Sequence, residues 1–286
     1  MKTSFVVLSI LLLSSSLFSC QKELQEECEV VTDTLTIRDT VTLTKIDTVT
    51  INNVKLNDGL VAWYKFDGNL GDSSGQGNHA VNIAGAGSIG FTADKSGKAS
   101  SAVLMDGIDD IILADDRGSL VTPTSVTISA YYNTSSTEVQ NLVCKRNQYV
   151  ANIESEFGGL AWSINASSSN EPHFAVISPI GATCGTPRGI DAFEDIVFSL
   201  QKIIPNQWYH IVCVFHEGSQ RIYLNGRLRQ ATTRDFVTMR QCPGGKLVIG
   251  GFVDDLPTRF KGSIDDLRVY NRLLNSAEIA ELAKGY

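Results

Sequence analysis

The stretch Trp208-Tyr-His-Ile-Val-Cys-Val-Phe215, followed by His216-Glu-Gly-Ser219 and Gln220-Arg-Ile-Tyr-Leu224, decides the plan of the chain. The first run is rich in β-branched and aromatic residues, and in the second Ile222 and Leu224 alternate with bulkier or polar neighbours. Successive side chains of a strand leave on opposite faces, so such runs describe strands with at least one buried face. Four turn-forming residues between them predict a hairpin. Asn225-Gly226 then marks a tight type I′ turn leading into Arg227-Leu-Arg229, because both residues tolerate positive φ.

The same signals repeat on either side of the hairpin. From Asp58 onward short alternating runs are separated by glycine, asparagine and serine turns. The predicted strands are 60–66, 102–105, 111–114, 125–132, 141–145, 160–165, 173–178, 196–200, 208–215, 220–224, 246–249 and 262–270. Helical periodicity is absent until Asn275-Ser-Ala-Glu278, a capping-box spacing that predicts a short helix burying Ile279 and Leu282. The fold class read from this is all-β: one two-sheet antiparallel sandwich over 58–286 with a short C-terminal helix. A single sandwich of this kind runs to ~200–250 residues.

Ahead of the sandwich lie two other segments. Met1-Lys2 and the apolar run from Phe5 to Leu13 read as a secretion signal, since the run is well short of the ~20 residues that span a membrane. Residues 33–37, 39–43 and 47–51 are near-copies, Asp-Thr-Leu-Thr-Ile, Asp-Thr-Val-Thr-Leu and Asp-Thr-Val-Thr-Ile. They read as an extended stalk or as a loosely ordered linker. With a net charge of -7 and no basic stripe, nucleic acid is excluded as a partner.

Two resemblances add to this. Leu17-Phe18-Ser19-Cys20 resembles the lipobox of bacterial lipoproteins, which implies cleavage before Cys20, lipid on that residue and a membrane-anchored location. The charged residues 21–27 look like a tether for sorting to an outer membrane or cell surface. The domains expected are therefore a signal peptide 1–19, a lipidated tether and stalk 20–57, and the sandwich 58–286.

The second resemblance covers the sandwich. Gly59-Leu-Val-Ala-Trp-Tyr-Lys-Phe-Asp-Gly-Asn69, Asp72-Ser-Ser-Gly-Gln-Gly-Asn-His79 and Asp106-Gly-Ile-Asp-Asp110 resemble motifs of laminin-G type, concanavalin A-like lectin domains. Trp208-Tyr-His-Ile211, Ile222-Tyr-Leu-Asn-Gly226 and Gly262-Ser-Ile-Asp-Asp-Leu-Arg-Val-Tyr-Asn271 follow in the same order. The resemblance implies a jelly roll that binds extracellular glycans or a surface protein, often with a structural calcium ion. It does not transfer a ligand, because this fold hosts lectins, adhesion modules and glucanases alike. Gly181-Ala-Thr-Cys-Gly-Thr-Pro-Arg-Gly189 departs from the family spacing and reads as an extra loop.

Candidate sites follow from residue chemistry. Asp67, Asn69, Asp72 and Asn78 offer hard oxygen ligands in a glycine-rich segment, suiting calcium, with Asp266 or its neighbour Asp265 completing the shell. The bland alternative is a set of turn formers bonded to their own backbone. If Leu267 and Val269 face the core, period two puts Ile264, Asp266, Arg268 and Tyr270 on the other face, with Asp266 and Arg268 as an ion pair or a sugar contact. Cys184 and Cys242 lie in turn-rich loops and are expected to form a disulfide, whereas Cys144 and Cys213 read as buried thiols. Tyr131, Tyr132, Trp162 and Phe174 are possible sugar platforms.

Catalysis is not expected. Glu154-x-Glu156 lacks the third acidic position of glucanases of this fold, since Gly158 stands there. Gly85-x-Gly87-x-x-Gly90 leads into Phe91-Thr-Ala-Asp rather than a helix, so it cannot hold a pyrophosphate at a helix N-terminus. The function expected is a non-catalytic, lipid-anchored binding protein, with a structural or adhesion lipoprotein, or a glycan hydrolase, as alternatives.

Overall fold

The structure is a computed structural model that describes residues 54–83, 89–146, 160–166, 170–178, 194–240, 245–251 and 258–285. The described residues of the sandwich belong to one compact unit, Asn52–Tyr286. Its strands in chain order are β1 (Leu60–Tyr64), β2 (Ala80–Asn82), β3 (Gly90–Thr92), β4 (Ala102–Asp106), β5 (Ile112–Asp115), β6 (Ser125–Thr134) and β7 (Gln140–Arg146). There follow β8 (Leu160–Ala166), β9 (Pro172–Ile177), β10 (Glu194–Phe198), β11 (Trp208–His216), β12 (Ser219–Leu224), β13 (Arg227–Thr233), β14 (Lys246–Ile249) and β15 (Lys261–Tyr270). Helix α1 (Ser276–Lys284) ends the chain.

The strands form two antiparallel sheets. The first has the order β13-β12-β11-β6-β15-β4-β3, with β1 also paired to β15. The second has the order β10-β9-β8-β7-β14-β5-β2. The hairpin predicted from sequence joins β11 to β12, with Phe215 opposite Gln220 and His216 opposite Ser219. Asn225 and Gly226 have φ of 51° and 73°, the left-handed pair that a type I′ turn requires. Strands β2, β3 and β13 were not expected, because the first two are three residues long, the third is mostly exposed, and none carries much apolar alternation.

Between the sheets lies one continuous apolar core that includes Tyr64, Met105, Ile128, Phe174, Phe215, Leu247 and Leu267. A second cluster covers the outer face of the first sheet, where α1 seats Ile279 and Leu282 on Val212, Val214 and Tyr270. The helix starts with the expected capping box: Asn275 accepts from the Glu278 N–H while Glu278 accepts from the Asn275 N–H. Leu56 packs against this cluster, so the chain engages the sandwich slightly ahead of Asp58.

The free edge of β10 is tied back to the first sheet. Arg234 donates to Asp195 Oδ1 at 3.0 Å, to the Ile196 carbonyl at 2.9 Å and to Gln220 Oε1 at 2.6 Å. Gln220 in turn donates to the Phe174 and Asp195 carbonyls. Edge-strand carbonyls that would otherwise invite pairing with another chain are thus capped by side chains.

Candidate functional site

Where the first and last strands meet, the residues expected to hold calcium fall into separate networks. Asp72 is buried, and its two oxygens accept from the Trp63 N–H at 2.9 Å, the Ser74 N–H at 2.8 Å, the Ser74 hydroxyl at 2.8 Å and the Asn78 N–H at 2.9 Å. Asn78 donates to the Val61 carbonyl, and Tyr64 donates to the Asn78 carbonyl at 2.6 Å. This loop is therefore a turn sewn onto β1. Asn69 closes a small turn by accepting from the Gly71 N–H and donating to the Asp67 carbonyl.

Asp67 pairs with Lys98 at 2.6 Å, and that hydrogen bond holds its carboxyl below the usual range. Asp266 accepts from Trp63 Nε1 at 2.6 Å and from Arg268 Nε at 2.8 Å, so the ion-pair reading of Asp266 and Arg268 holds. Arg268 and Lys65 also stand 4.3 and 4.2 Å from the Trp63 ring. Calcium requires several oxygens free to face one ion, and the set Asp67, Asn69, Asp72 and Asp266 does not fit that requirement. Asp72→Ala, which strands the backbone N–H groups of Trp63, Ser74 and Asn78, is expected to lower unfolding stability by about 3 kcal/mol in chelator-treated protein, read by urea titration.

The face assignment of the last strand also needs correcting. Ile264 lies in the main core with Leu267 and Val269. A register shift between Asp265 and Arg268 on β6, with Asp266 at φ 47°, inserts an extra residue and resets the alternation. Asp265 is left fully buried, with neither carboxylate oxygen bonded. Burial first, and then the charge of Asp266, pushes its carboxyl up to about 7. Among the described residues, the acidic side chains gathered within 4.8 Å of one another are Asp106, Asp109 and Asp110.

Three of the expected sugar platforms are interior. Tyr132 and Phe174 lie in the core, and Tyr131 is covered by α1, donating to the Leu282 carbonyl at 2.8 Å. The side chain of Trp162 is outside the described residues. An aromatic pair that sequence reading passed over lies on the outer face of the second sheet. Phe198 of β10 sits opposite His173 of β9, with ring centroids 5.2 Å apart. Val197 and Phe174 of the same strands face the core, which sends Phe198 and His173 outward. Phe198 is 38% exposed, and burial holds the His173 imidazole below its ordinary range.

Ser129 Oγ and His210 Nε2 lie 2.8 Å apart, the spacing of a nucleophile and its base. Both are buried, His210 Nδ1 has no partner, and burial pushes the imidazole down to about 3. A base that weak, closed off from solvent and without an orienting acid, does not activate a hydroxyl. Cys144 and Cys213 are buried thiols, as expected. Cys20, the Cys184 and Cys242 pair, Glu154 and Glu156, and the stalk lie outside the described residues.

Solved structures share this architecture at low identity. Domain 4 of AbnA, a GH43 extracellular arabinanase from Geobacillus stearothermophilus, was solved with arabinotriose. It matches at 21% identity and TM-score 0.54, over 78% of this chain and 98% of that one. The binding domain of Paraclostridial Mosquitocidal Protein 1 matches at 15% and TM-score 0.59, over 81% of this chain and 53% of that one. A botulinum neurotoxin type C structure, described as dependent on two ganglioside molecules for cell entry, matches at 15% and TM-score 0.57, over 80% and 51%. This chain spans about half the length of the two toxin chains, and at these identities the likeness is one of fold. No curated protein matches the sequence. The family described as the concanavalin A-like lectin/glucanases superfamily matches residues 106–280, and with the two-sheet topology above this chain belongs to it.

Proposed function

We propose that this chain is a cell-envelope protein, held to a membrane by lipid on Cys20, whose sandwich binds carbohydrate without cleaving it. The observation that carries the reading is the outward-facing pair Phe198 and His173. A partly exposed aromatic surface offers the apolar face of a sugar ring a flat partner, and polar groups beside it supply direction. The register places Asn165 of β8 directly opposite His173, one position further into the sheet. The arabinotriose-bound neighbour lends the fold-level support.

A glycan array probed with the full chain tests this. Phe198→Ala is expected to weaken binding to the strongest glycan at least tenfold while the melting temperature holds, because the ring is partly exposed. Absence of binding to any glycan, or undiminished binding by Phe198→Ala, would overturn the assignment. A protein ligand is the second reading, favoured by Leu200 and Ile204, which are 67% and 58% exposed just beyond Phe198. Leu200→Ser with Ile204→Ser would then abolish binding to that protein and leave glycans untouched.

The anchor has its own test. Cys20→Ala is expected to lose labelling by fatty acid and to leave the membrane fraction, and persistent labelling would remove lipid from the proposal.

A further inference from the structure

We infer that the outer side of β2 is a docking edge for this chain's own stalk, taking up the Thr-rich repeat 33–37 or its near-copy 39–43. This goes beyond the glycan reading and does not depend on it. β2 is the last strand of the second sheet, at the end opposite β10. Two apolar rows cross the outer face of that sheet and stop at β2. In the first, Val248 of β14, Leu113 of β5 and Val81 of β2 are register partners. Val248 and Leu113 are buried, away from the main core, whereas Val81 is 59% exposed. In the second, the Ile83 N–H donates to the carbonyl of buried Ile111 at 3.0 Å, and Ile83 is 43% exposed. Both rows thus leave an aliphatic side chain uncovered at the sheet's rim, two positions apart on one face. One further strand with aliphatics at that spacing would complete them.

The stalk supplies that pattern. Leu35 and Ile37 alternate with threonine in 33–37, and Val41 and Leu43 do so in 39–43. Residues two apart on a strand share a face, so each repeat offers a pair of aliphatics that matches Val81 and Ile83 and sends its threonines to the other side. A lone ribbon of this kind has one apolar face and nothing of its own to bury it against. The sheet rim and the repeat therefore lack the same thing, and each provides it to the other.

Reach selects this edge. The Asn78 side chain donates to the Val61 carbonyl at 2.7 Å, which ties the approach to β2 to the start of β1. Followed through that bond, Val54 and Val81 are at most ~45 Å apart, whereas the extended run from Ile37 to Val54 spans ~56 Å. Leu228 is also exposed, but it lies on β13, with β12, β11, β6 and β15 between it and β1. Leu200 and Ile204 stand in a loop and offer a strand no register. A repeat docked on β2 shortens the free tether and holds the sandwich nearer the N-terminal end of the chain.

The test is limited trypsin digestion of the full chain. Arg38 stands between the two repeats, and Lys45 beyond them serves as an internal reference. Relative to Lys45, cleavage after Arg38 is expected to be at least tenfold slower in wild type than in the double variant Val81→Asp with Ile83→Asp. Tenfold dilution should leave the wild-type ratio unchanged, and Leu228→Asp should behave as wild type. If the β2 variant fails to fold, Leu35→Ser with Val41→Ser is expected to give the same loss of protection, since it alters the stalk and leaves the sandwich intact. Equal ratios in wild type and in these double variants would overturn the inference. So would protection that disappears on dilution, which would place the repeat on a second copy of the chain.

Discussion

Gly262→Ala is expected to cost the sandwich about 4 kcal/mol or more and to leave little soluble folded protein. Gly262 lies in β15 at φ 147°, a backbone conformation that side chains disfavour. A Cβ there would come within 2.0 Å of the Asn133 carbonyl oxygen and 2.8 Å of Thr134 Cα, both backbone atoms of β6. No rotamer relieves a clash with backbone, and β6 cannot retreat because it is held between β15 and β11. Gly75→Ala supplies the comparison. Gly75 is also left-handed, at φ 86°, but nothing lies within 4 Å of its added Cβ. Its cost should stay near 1 kcal/mol, the conformational penalty alone. Urea unfolding of the two variants separates the effects, and similar midpoints would show that β6 yields.

Glu278→Ala is expected to destabilise the fold by about 3 kcal/mol, because one nearly buried carboxylate serves three elements. Arg272 grips it with two bonds, at 2.8 and 2.7 Å, and the N–H groups of Asn275 and Lys55 donate to it at 2.9 and 3.2 Å. Arg272 also donates to the carbonyls of Lys55 and Asp58. The pair thus fastens the start of α1 to the end of β15 and to the segment entering β1. Burial pushes the Glu278 carboxyl up, but Arg272 and the two N–H donors together bring it below its ordinary value of 4.5. A depressed folded value contributes stability above the unfolded value, and that contribution fades as pH falls through the folded one. The wild-type advantage over Glu278→Ala should therefore be full at neutral pH and narrow as pH drops below 4.5. A constant difference across that range would assign the loss to packing rather than charge.

Much of this was legible locally. The Asn225-Gly226 turn needs two adjacent residues that accept positive φ, and the capping box needs Asn275 and Glu278 three positions apart. Both are satisfied within a few residues, whatever the rest of the chain does. The strands followed from period two wherever one face is buried, which is why β11, β12 and β14 matched closely and exposed β2, β3 and β13 did not register. The glycine-rich loop after β1 offered donors and acceptors alike, and only the approach of Trp63 and Asn78 decided that Asp72 accepts hydrogen bonds.

The sequence by itself determined an all-β sandwich, its turns, its closing helix and the family resemblance, and it left Asp266 and Arg268 open between an ion pair and a sugar contact. Tertiary structure alone decided which side chains face outward. One extra residue at Asp265 and Asp266 resets the alternation of β15, sending Ile264 into the core and leaving Asp265 buried without a partner. Likewise Phe198 and His173 become neighbours because β10 pairs with β9 across a long connection, and Tyr131 is lost to solvent because α1 lies on it. Period two is a local property of the chain, but the face it points to depends on register accumulated over distant pairings, and a single bulge reverses it.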